Sequence, residues 1–178
     1  MKTGKVLHSA TLGFPIRNKH EVLLGRKKRN IGAGLISGFG GGQEIHQTYD
    51  ECMFEELTPE SGLVVVPGKM ENVAVLYAHN TQEDGSTFVC RIIIYLIYEW
   101  TGEVLSDTEE MGDNQWYDFD NLPLSKMMPD APGWLPLILA GERLIIYARL
   151  GPGQKELLCP VEIKDADDLP DDWPHFEA

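Results

Sequence analysis

A glycine-rich segment that runs directly into an acidic stretch constrains the fold of this chain more than any other feature. Six glycines lie within the first part of this segment: Gly32, Gly34, Gly38, Gly40, Gly41 and Gly42. Glycine allows the backbone to approach a ligand closely and to adopt positive φ angles, so this density indicates a loop with a demanding shape. Thr48 is suited to cap a helix, and acidic residues follow it in the first turn. The segment therefore predicts a glycine-rich loop followed by a helix over residues 48–58.

The predicted helix carries carboxylates at a spacing suited to a divalent cation. Glu56 and Glu60 are four residues apart, so on a helix they project from one face, about one turn from each other. Hard cations such as Mg²⁺ or Mn²⁺ prefer oxygen ligands of this kind. A glycine-rich loop beside such a cation would suit a pyrophosphate group. The alternative is a solvated acidic helix face that binds nothing, because such carboxylate pairs are common on exposed helices.

Runs of β-branched and aromatic residues predict strands on both sides of this helix. They cover residues 22–24, 63–66, 73–77, 88–100, 115–119 and 144–150. Asn80 and Asp84-Gly85 provide turn chemistry between the third and fourth runs, so these two are expected to form a hairpin. A second helix is predicted over residues 134–140. Strands before and after a helix predict an α/β sandwich.

The charge of the chain excludes several kinds of partner. It carries 15 Lys and Arg residues against 28 Asp and Glu residues, a formal net charge of -13. Nucleic acid polymers and anionic membranes require a positive surface field, so neither is an expected partner. A ligand that bears phosphate remains compatible, because a bound divalent cation would supply the missing positive charge.

The length of 178 residues suits one domain, and the composition shifts after Gly151-Pro152-Gly153. We therefore predict a domain over residues 1–153 and an acidic C-terminal extension over residues 154–178. The three cysteines are far apart and have no metal-ligand or redox spacing. They are expected to be reduced thiols, which indicates a cytoplasmic protein.

The segment over residues 41–63 resembles the signature of the Nudix family. That signature is Gly, five residues, Glu, seven residues, then Arg-Glu-U-x-Glu-Glu-x-Gly-U, where U is a bulky aliphatic residue. Laid on the chain without gaps, it matches at these six positions: Gly41, Glu56, Leu57, Glu60, Gly62 and Leu63. Other segments also resemble the MutT-type branch, which hydrolyses oxidised purine nucleoside triphosphates: residues 22–29, 32–34, 38–41, 116–117, 128–130 and 134–137. The resemblance implies a Nudix-type α/β/α sandwich with a mixed β-sheet.

The resemblance also implies a metal site and a reaction. In the family, the helix glutamates bind magnesium or manganese, and water attacks a phosphorus of a diphosphate link. By position, Glu60 would be the principal metal ligand and Glu56 a ligand or general base. Glu110, in an acidic loop over residues 104–111, resembles a distant glutamate that family members add to the site, and the Gly41 carbonyl would be a further ligand. The implied cofactor is Mg²⁺ or Mn²⁺.

Three positions depart from the signature. Gln47 replaces its first Glu, Glu55 replaces the Arg, and Pro59 replaces the first Glu of the pair. Gln47 would weaken the binding of a second metal, and Glu55 would add repulsion among carboxylates. Proline inside a helix costs roughly 3 kcal/mol, so we expect the helix to end or kink before Glu60.

Substrate-binding residues are implied in the same way. Ser37 stands where related enzymes have an asparagine, and Asp130 is the one survivor of two consecutive aspartates. Met128 stands where an aromatic residue would stack on the base, and Gly40 belongs to the glycine-rich loop. Asp130 can hold the edge of a purine, but these residues do not imply selection for an oxidised purine.

The stretch Arg26-Lys27-Lys28-Arg29 is the single basic cluster of the chain. It is either a solvated turn or a phosphate contact beside the glycine-rich loop, with Lys27 the best single candidate for that contact.

Two functions are compatible with these observations. The first is a Nudix-type metal-dependent pyrophosphohydrolase acting on a nucleoside triphosphate or a related nucleoside diphosphate derivative. The second is a degenerate Nudix domain that binds a nucleotide or a protein and hydrolyses nothing, which the three departures motivate. The first is favoured because Glu56, Glu60 and Glu110 are present. The expected partner is a nucleotide or another small molecule with a diphosphate group, and the oligomeric state is left open.

Overall fold

A mixed β-sheet lies at the centre of the computed structural model, which describes residues 7–166. The strands are β1 (Leu7–Arg17), β2 (Glu21–Lys27), β3 (Ile36–Ser37), β4 (Val64–Val65), β5 (Met70–Thr81), β6 (Thr87–Ile97), β7 (Trp100–Thr101), β8 (Met111–Asp118), β9 (Leu144–Pro152) and β10 (Glu162–Asp165). The helices are α1 (Tyr49–Ser61) and α2 (Leu135–Leu139). Three 3₁₀ turns lie between β8 and α2: Phe119–Asn121, Leu124–Lys126 and Ala131–Gly133.

The main sheet has eight strands in the order β10-β9-β5-β6-β1-β2-β3, and β8 also pairs with β2. Strands β1 and β6 are parallel, as are β5 and β9, whereas the other pairs in this sheet are antiparallel. Strands β4 and β7 form a separate two-stranded sheet. This arrangement confirms the predicted α/β fold with a mixed sheet.

The two faces of the main sheet are each covered by a hydrophobic core. Successive side chains of a strand point to opposite faces, so β5 contributes Val75 and Leu76 to different cores. Met53 and Leu57 of α1 are buried in the core that includes Val75. Residues of α2 are buried in the other core, with Leu76 and Phe14. The layers therefore form an α/β/α sandwich.

Capping at both ends sets the limits of α1. The Thr48 side chain accepts a hydrogen bond from the Glu51 N–H at 3.1 Å, and the Glu51 carboxylate accepts one from the Thr48 N–H at 2.9 Å. This reciprocal pair is a capping box, and it confirms Thr48 as the N-cap. At the other end Gly62 has a φ of 84°, and its N–H donates to the Thr58 carbonyl at 2.8 Å.

The helix α1 continues through Pro59 to Ser61, so the expected end before Glu60 is wrong, whereas a kink at this point stays a prediction. Hydrogen bonds from outside the helix hold this last turn. Asn114 Nδ2 and Thr108 Oγ1 both donate to the Glu60 carbonyl, at 2.9 and 3.2 Å. Within the turn, Ser61 Oγ donates to the Leu57 carbonyl at 2.7 Å. These bonds fix the turn that contains Pro59 from both sides of the helix end.

We expect Pro59→Ala to raise the melting temperature. Pro59 is exposed and lacks the N–H that would bond to the Glu55 carbonyl, and alanine restores it. The free energy of unfolding should rise by roughly 1–3 kcal/mol. Each kcal/mol should raise the melting temperature by about 2–4 °C. Pro136→Ala is the control, because Pro136 is exposed in the first turn of α2, where an N–H has no partner within the helix. Calorimetry that finds equal melting temperatures for wild type and Pro59→Ala would contradict this account.

Most predicted elements are confirmed with changed limits. Strands β5 and β6 form the expected hairpin, and Asp84 Oδ1 accepts from the Ser86 N–H at 2.9 Å within its turn. The run predicted over residues 88–100 ends at Ile97, and Trp100 belongs to β7. The second helix is shorter than predicted and is followed by Gly141, whose φ is 99°. Among the described residues, no helix is long and apolar enough to cross a membrane.

Strands β1 and β10 have no counterpart among the predicted strands. Strand β1 pairs in parallel with β6 over nine residues, so its place depends on a partner far away in the chain. Strand β10 lies in the predicted extension and pairs with β9 at the edge of the sheet. The acidic stretch that begins at Asp165 lies outside the described residues from residue 167 onward. The domain boundary after residue 153 stays a prediction.

Candidate functional site

Three carboxylates meet where α1 faces the loop before β8. Glu56, Glu60 and Glu110 each place a carboxylate oxygen within 4.8 Å of the other two. We call these three residues the acidic cluster. The four-residue spacing on α1 brings the first two together. The backbone carbonyl of Glu110 accepts a hydrogen bond from the Lys28 N–H at 3.0 Å, which ties this loop to the end of β2. The structure thus brings together all three predicted carboxylate ligands.

Glu60 is the most deeply placed member of the acidic cluster, with 5% of its surface exposed. Its Oε2 accepts a hydrogen bond from the Gly40 N–H at 3.0 Å. The pKa of Glu60 is raised to about 8, chiefly by burial; the Gly40 bond opposes the rise, and the Glu56 and Glu110 carboxylates contribute to it. Burial also raises the pKa of Glu56, followed by the charges of Glu110 and Glu55. The cluster is therefore crowded with negative charge that a cation would relieve.

The donor set of the acidic cluster fits a divalent cation. It consists of carboxylate oxygens, the ligands that Mg²⁺ and Mn²⁺ prefer. Two of the carboxyl groups have raised pKa values, as expected for a site that favours a positive charge in their midst. These three residues would hold the metal that the family resemblance implies.

A cavity of about 1030 Å³ opens beside the acidic cluster. Part of its wall is apolar and comes from the core that contains α2, including Phe14, Leu76 and Trp134. Every residue predicted as a site residue lines this cavity: Lys27, Ser37, Gly40, Gly41, Glu56, Glu60, Glu110, Met128 and Asp130. The individual roles of these residues stay predictions, but their juxtaposition is a property of the fold.

Lys27 and Met128 both lie beside Gly32 in the cavity wall. A Cβ atom added to Gly32, whose φ is 83°, would lie 3.3 Å from Met128 Sδ and 3.6 Å from Lys27 Cδ. Burial lowers the pKa of Lys27, while the nearby charges of Glu60 and Glu110 raise it. Lys27 therefore places its ammonium group near the acidic cluster.

Asp130 provides a buried polar group in the same cavity. It is 3% exposed, and its Oδ2 accepts a hydrogen bond from Trp134 Nε1 at 2.7 Å. Burial raises the pKa of Asp130 above its ordinary value. The Trp134 bond thus fixes the carboxyl group of Asp130, a residue that lines the cavity.

The glycine-rich loop passes too close to β1 to carry side chains throughout. A Cβ atom on Gly40 would lie 2.0 Å from the carbonyl oxygen of Thr11. A Cβ atom on Gly41 would lie 2.6 Å from the Glu56 carboxylate, whereas one on Gly42 would meet nothing within 4 Å. Glycine is therefore required at position 40 by the approach of two backbones.

The Gly41 carbonyl, a predicted metal ligand, is engaged elsewhere. It accepts a hydrogen bond from the Thr11 N–H at 2.9 Å and one from the Cys52 thiol at 3.5 Å. A carbonyl oxygen has two lone pairs, so a metal at Gly41 would have to displace one of these bonds. The Gly41 carbonyl as a metal ligand stays a prediction.

The three departures from the signature lie outside the cavity wall. Gln47 Nε2 donates to Glu55 Oε2 at 2.6 Å, so these two altered positions are paired with each other. Gln47 Oε1 also accepts a hydrogen bond from the Glu44 N–H at 3.0 Å. An ionised glutamate at position 47 could accept the same bond, but Glu55 would repel its charge. Pro59 is exposed. Neither Gln47, Glu55 nor Pro59 is among the residues that line the cavity.

Several cavity residues were not singled out from the sequence. They include Arg29 at the acidic end and, elsewhere in the wall, Leu12, Phe14, Phe88, Cys90 and Trp134. Arg29 was visible only as one member of a basic cluster. The residues of β1 carried no local signal, because the strand itself was not predicted.

The chain belongs to the NUDIX domain family, because the family model matches residues 6–138, most of its length. It is similar to an oxidized purine nucleoside triphosphate hydrolase from Danio rerio, with 35% identity over 148 residues, 83% of this chain and 87% of the relative. The Mus musculus protein of the same description is 34% identical over 119 residues, 66% of this chain and 71% of the relative. The chain described here is thus a member of a hydrolase family.

A solved structure of a MutT protein from Bacillus halodurans has the same fold. Its TM-score is 0.72 at 21% sequence identity, covering 88% of this chain and 97% of that chain. A MutT Nudix hydrolase from Burkholderia pseudomallei gives a TM-score of 0.58 at 19% identity, covering 67% of this chain and 88% of that chain. The predicted Nudix-type sandwich is confirmed.

Proposed function

We propose that this protein is a metal-dependent pyrophosphohydrolase that acts on a nucleoside triphosphate or a related nucleoside diphosphate derivative. The observation that carries the proposal is the position of the acidic cluster at a cavity that also holds Lys27 and Asp130. A cation site and an apolar wall with one buried polar group suit the two ends of a nucleotide. The proposed location is cytoplasmic, as the sequence predicts.

In this proposal, the acidic cluster holds one divalent cation, Mg²⁺ or Mn²⁺. When bound, such a cation neutralises charge on the phosphates and lowers the pKa of a water molecule. Glu60 is fixed by the Gly40 N–H and serves as a ligand. Glu56 is less buried, and its raised pKa suits a group that accepts a proton from the attacking water.

The cavity supports a purine nucleotide as the first substrate to test. The similar proteins from Danio rerio and Mus musculus are described as hydrolases of oxidized purine nucleoside triphosphates. Lys27 would contact a phosphate, while Asp130 would accept or donate at the edge of the base. Ser37 and Met128 line the same cavity and would contact the nucleoside.

The alternative function, a binding module without hydrolysis, rested on Gln47, Glu55 and Pro59. Because none of these residues lines the cavity, their substitution leaves the acidic cluster complete. We therefore prefer the hydrolase.

The test is a panel of nucleoside di- and triphosphates, including oxidised purines, with Mg²⁺ or Mn²⁺. We expect metal-dependent release of phosphate or pyrophosphate from at least one of them. Binding of a nucleotide, measured by calorimetry, without any hydrolysis across the panel would establish the binding module instead.

We also expect Mg²⁺ to stabilise the protein more as the pH rises. The pKa of Glu60 is raised from 4.5 to about 8, so protonation of Glu60 favours the folded metal-free protein. This contribution is complete below pH 4.5 and is lost as the pH rises through about 8. A cation replaces the proton, so its stabilising effect by mass action grows over the same range.

The measurement is the shift in melting temperature caused by millimolar Mg²⁺ on either side of pH 8. Glu60→Gln tests this role directly: its side chain no longer titrates and it loses a proposed ligand, so both the Mg²⁺-dependent shift and its pH dependence should shrink. A shift in wild type that is the same at both pH values would contradict the assigned role of Glu60.

A further inference from the structure

Arg29 is held by a carboxylate of the acidic cluster. Its Nη2 donates to Glu110 Oε1, and its Nη1 lies 3.9 Å from Glu109 Oε1. Of the three clustered carboxylates, Glu110 is therefore the one with an arginine partner. Both side chains of this ion pair are accessible, with 51% of Arg29 and 34% of Glu110 exposed. The pair lies at the rim of the cavity, where both residues form part of the lining.

The other residues of the basic cluster are engaged away from the cavity. Arg26 pairs with Asp113 at 3.2 Å and donates to the Gly34 carbonyl at 2.9 Å. Lys28 pairs with Asp107 at 2.8 Å. Neither Arg26 nor Lys28 is a lining residue, whereas Lys27 and Arg29 are. Arg29 is thus the arginine of this cluster that can reach a ligand in the cavity.

The backbone around Arg29 is well anchored, so its side chain is the part that can change partners. The Gly34 N–H donates to the Lys27 carbonyl at 2.8 Å, and the Lys27 N–H donates to the Leu35 carbonyl at 2.9 Å. These bonds close the loop that follows Arg29. A cation on the acidic cluster would compete for the Glu110 oxygen that now accepts from Arg29. The guanidinium would then lie at the cavity rim without its carboxylate.

We propose that Arg29 is a phosphate-binding residue of the substrate site, and that it becomes available when a divalent cation replaces it on Glu110. This inference rests on the proposed function. A guanidinium stays charged and offers paired N–H donors that match phosphate oxygens. The chain has a net charge of -13. An arginine released from Glu110 at the rim therefore supplies positive charge where a polyphosphate enters the cavity. The exchange couples the cation and the polyphosphate, so each strengthens the binding of the other.

The first measurement is the affinity for Mg²⁺ alone, by calorimetry without any nucleotide. Arg29→Gln removes the competitor for Glu110, so Mg²⁺ should bind about two- to fivefold more tightly than to wild type, given the modest strength of exposed ion pairs. Lys28→Gln is the matched control. It removes the same charge from the neighbouring residue, which pairs with Asp107 and does not line the cavity.

The second measurement is the affinity for methylenediphosphonate, a pyrophosphate analogue that cannot be hydrolysed, with saturating Mg²⁺. Arg29→Gln should weaken this binding by about tenfold or more, because it removes hydrogen bonds between charged groups. Arg29→Lys should recover part of the affinity, since it keeps the charge and loses the paired donors. Lys28→Gln should leave it close to wild type.

Opposite changes in the two affinities support the proposal, because a merely structural role would weaken both. If Arg29→Gln weakens both, leaves both unchanged or matches Lys28→Gln, Arg29 is not the proposed phosphate-binding residue, although the metal site stands. If wild type binds no Mg²⁺, the proposed function and this inference both fail.

Discussion

Glu56→Gln should lower the turnover of the nucleotide substrate by about 10²–10⁴-fold, the usual contribution of a general acid or base. Glutamine fills the same space, but it can neither carry the charge that binds a cation nor take a proton from water. Burial raises the pKa of Glu56, and the neighbouring carboxylates raise it as well, so removing its charge should also relieve the cost of burial and the repulsion. The melting temperature of the metal-free variant should therefore not fall.

The matched control for this variant is Glu103→Gln. Glu103 is exposed and is not a cavity residue. The turnover of Glu103→Gln should therefore stay within about twofold of wild type. The measurement is the steady-state release of phosphate or pyrophosphate at saturating Mg²⁺. If wild type hydrolyses a nucleotide and Glu56→Gln does so at the same rate, α1 is not the catalytic helix, whatever its resemblance to the family signature.

Gly40→Ala should damage both the fold and the site. The new Cβ would lie 2.0 Å from the Thr11 carbonyl oxygen and 2.7 Å from the Thr11 carbonyl carbon, both of them backbone atoms that cannot rotate away. Overpacking of this kind costs typically 1–3 kcal/mol, and a clash between backbones should lie at the upper end. The shift would also move the Gly40 N–H, which holds Glu60. We expect a melting temperature lower by about 5–10 °C and a loss of most turnover.

Gly42→Ala is the control for this effect, two residues away in the same loop. A Cβ at Gly42 meets nothing within 4 Å, so this variant should keep its stability and its activity. Thermal denaturation and turnover of the two variants can be compared directly. Equal stability of Gly40→Ala and Gly42→Ala would mean that the approach of the loop to β1 is looser than the structure indicates.

Local chemistry made several features of this protein readable from the sequence. The Thr48 cap, the Asp84-Gly85 turn and the projection of Glu56 and Glu60 from one helix face depend on residues within one or two turns of each other. Their interactions form whenever the segment forms, so residue type and spacing suffice to predict them. Glu110 is too far along the chain from α1 for any local pattern to connect them. It was predicted as a site residue from the family resemblance.

The tertiary structure alone decided how the departures from the signature are accommodated. Pro59 predicts a helix end by its own chemistry, yet Asn114 and Thr108 bond to the Glu60 carbonyl and the helix continues. Gln47 predicts weaker metal binding and Glu55 predicts added repulsion, yet their side chains form a hydrogen bond with each other. In both cases the compensating partner is set by three-dimensional packing, which overrides local propensity.

The α/β class, the glycine-rich loop and the carboxylates of α1 could all be predicted from residue types and their spacing. The tertiary structure, by contrast, places β1 between β2 and β6, where it forms part of the cavity wall. It also decided that Arg29 meets Glu110 across 81 positions of the chain. Strand pairing and ion pairs of this kind join segments whose separation in sequence carries no periodic signal. The favourable free energy of these contacts is gained only after the sheet has brought the segments together.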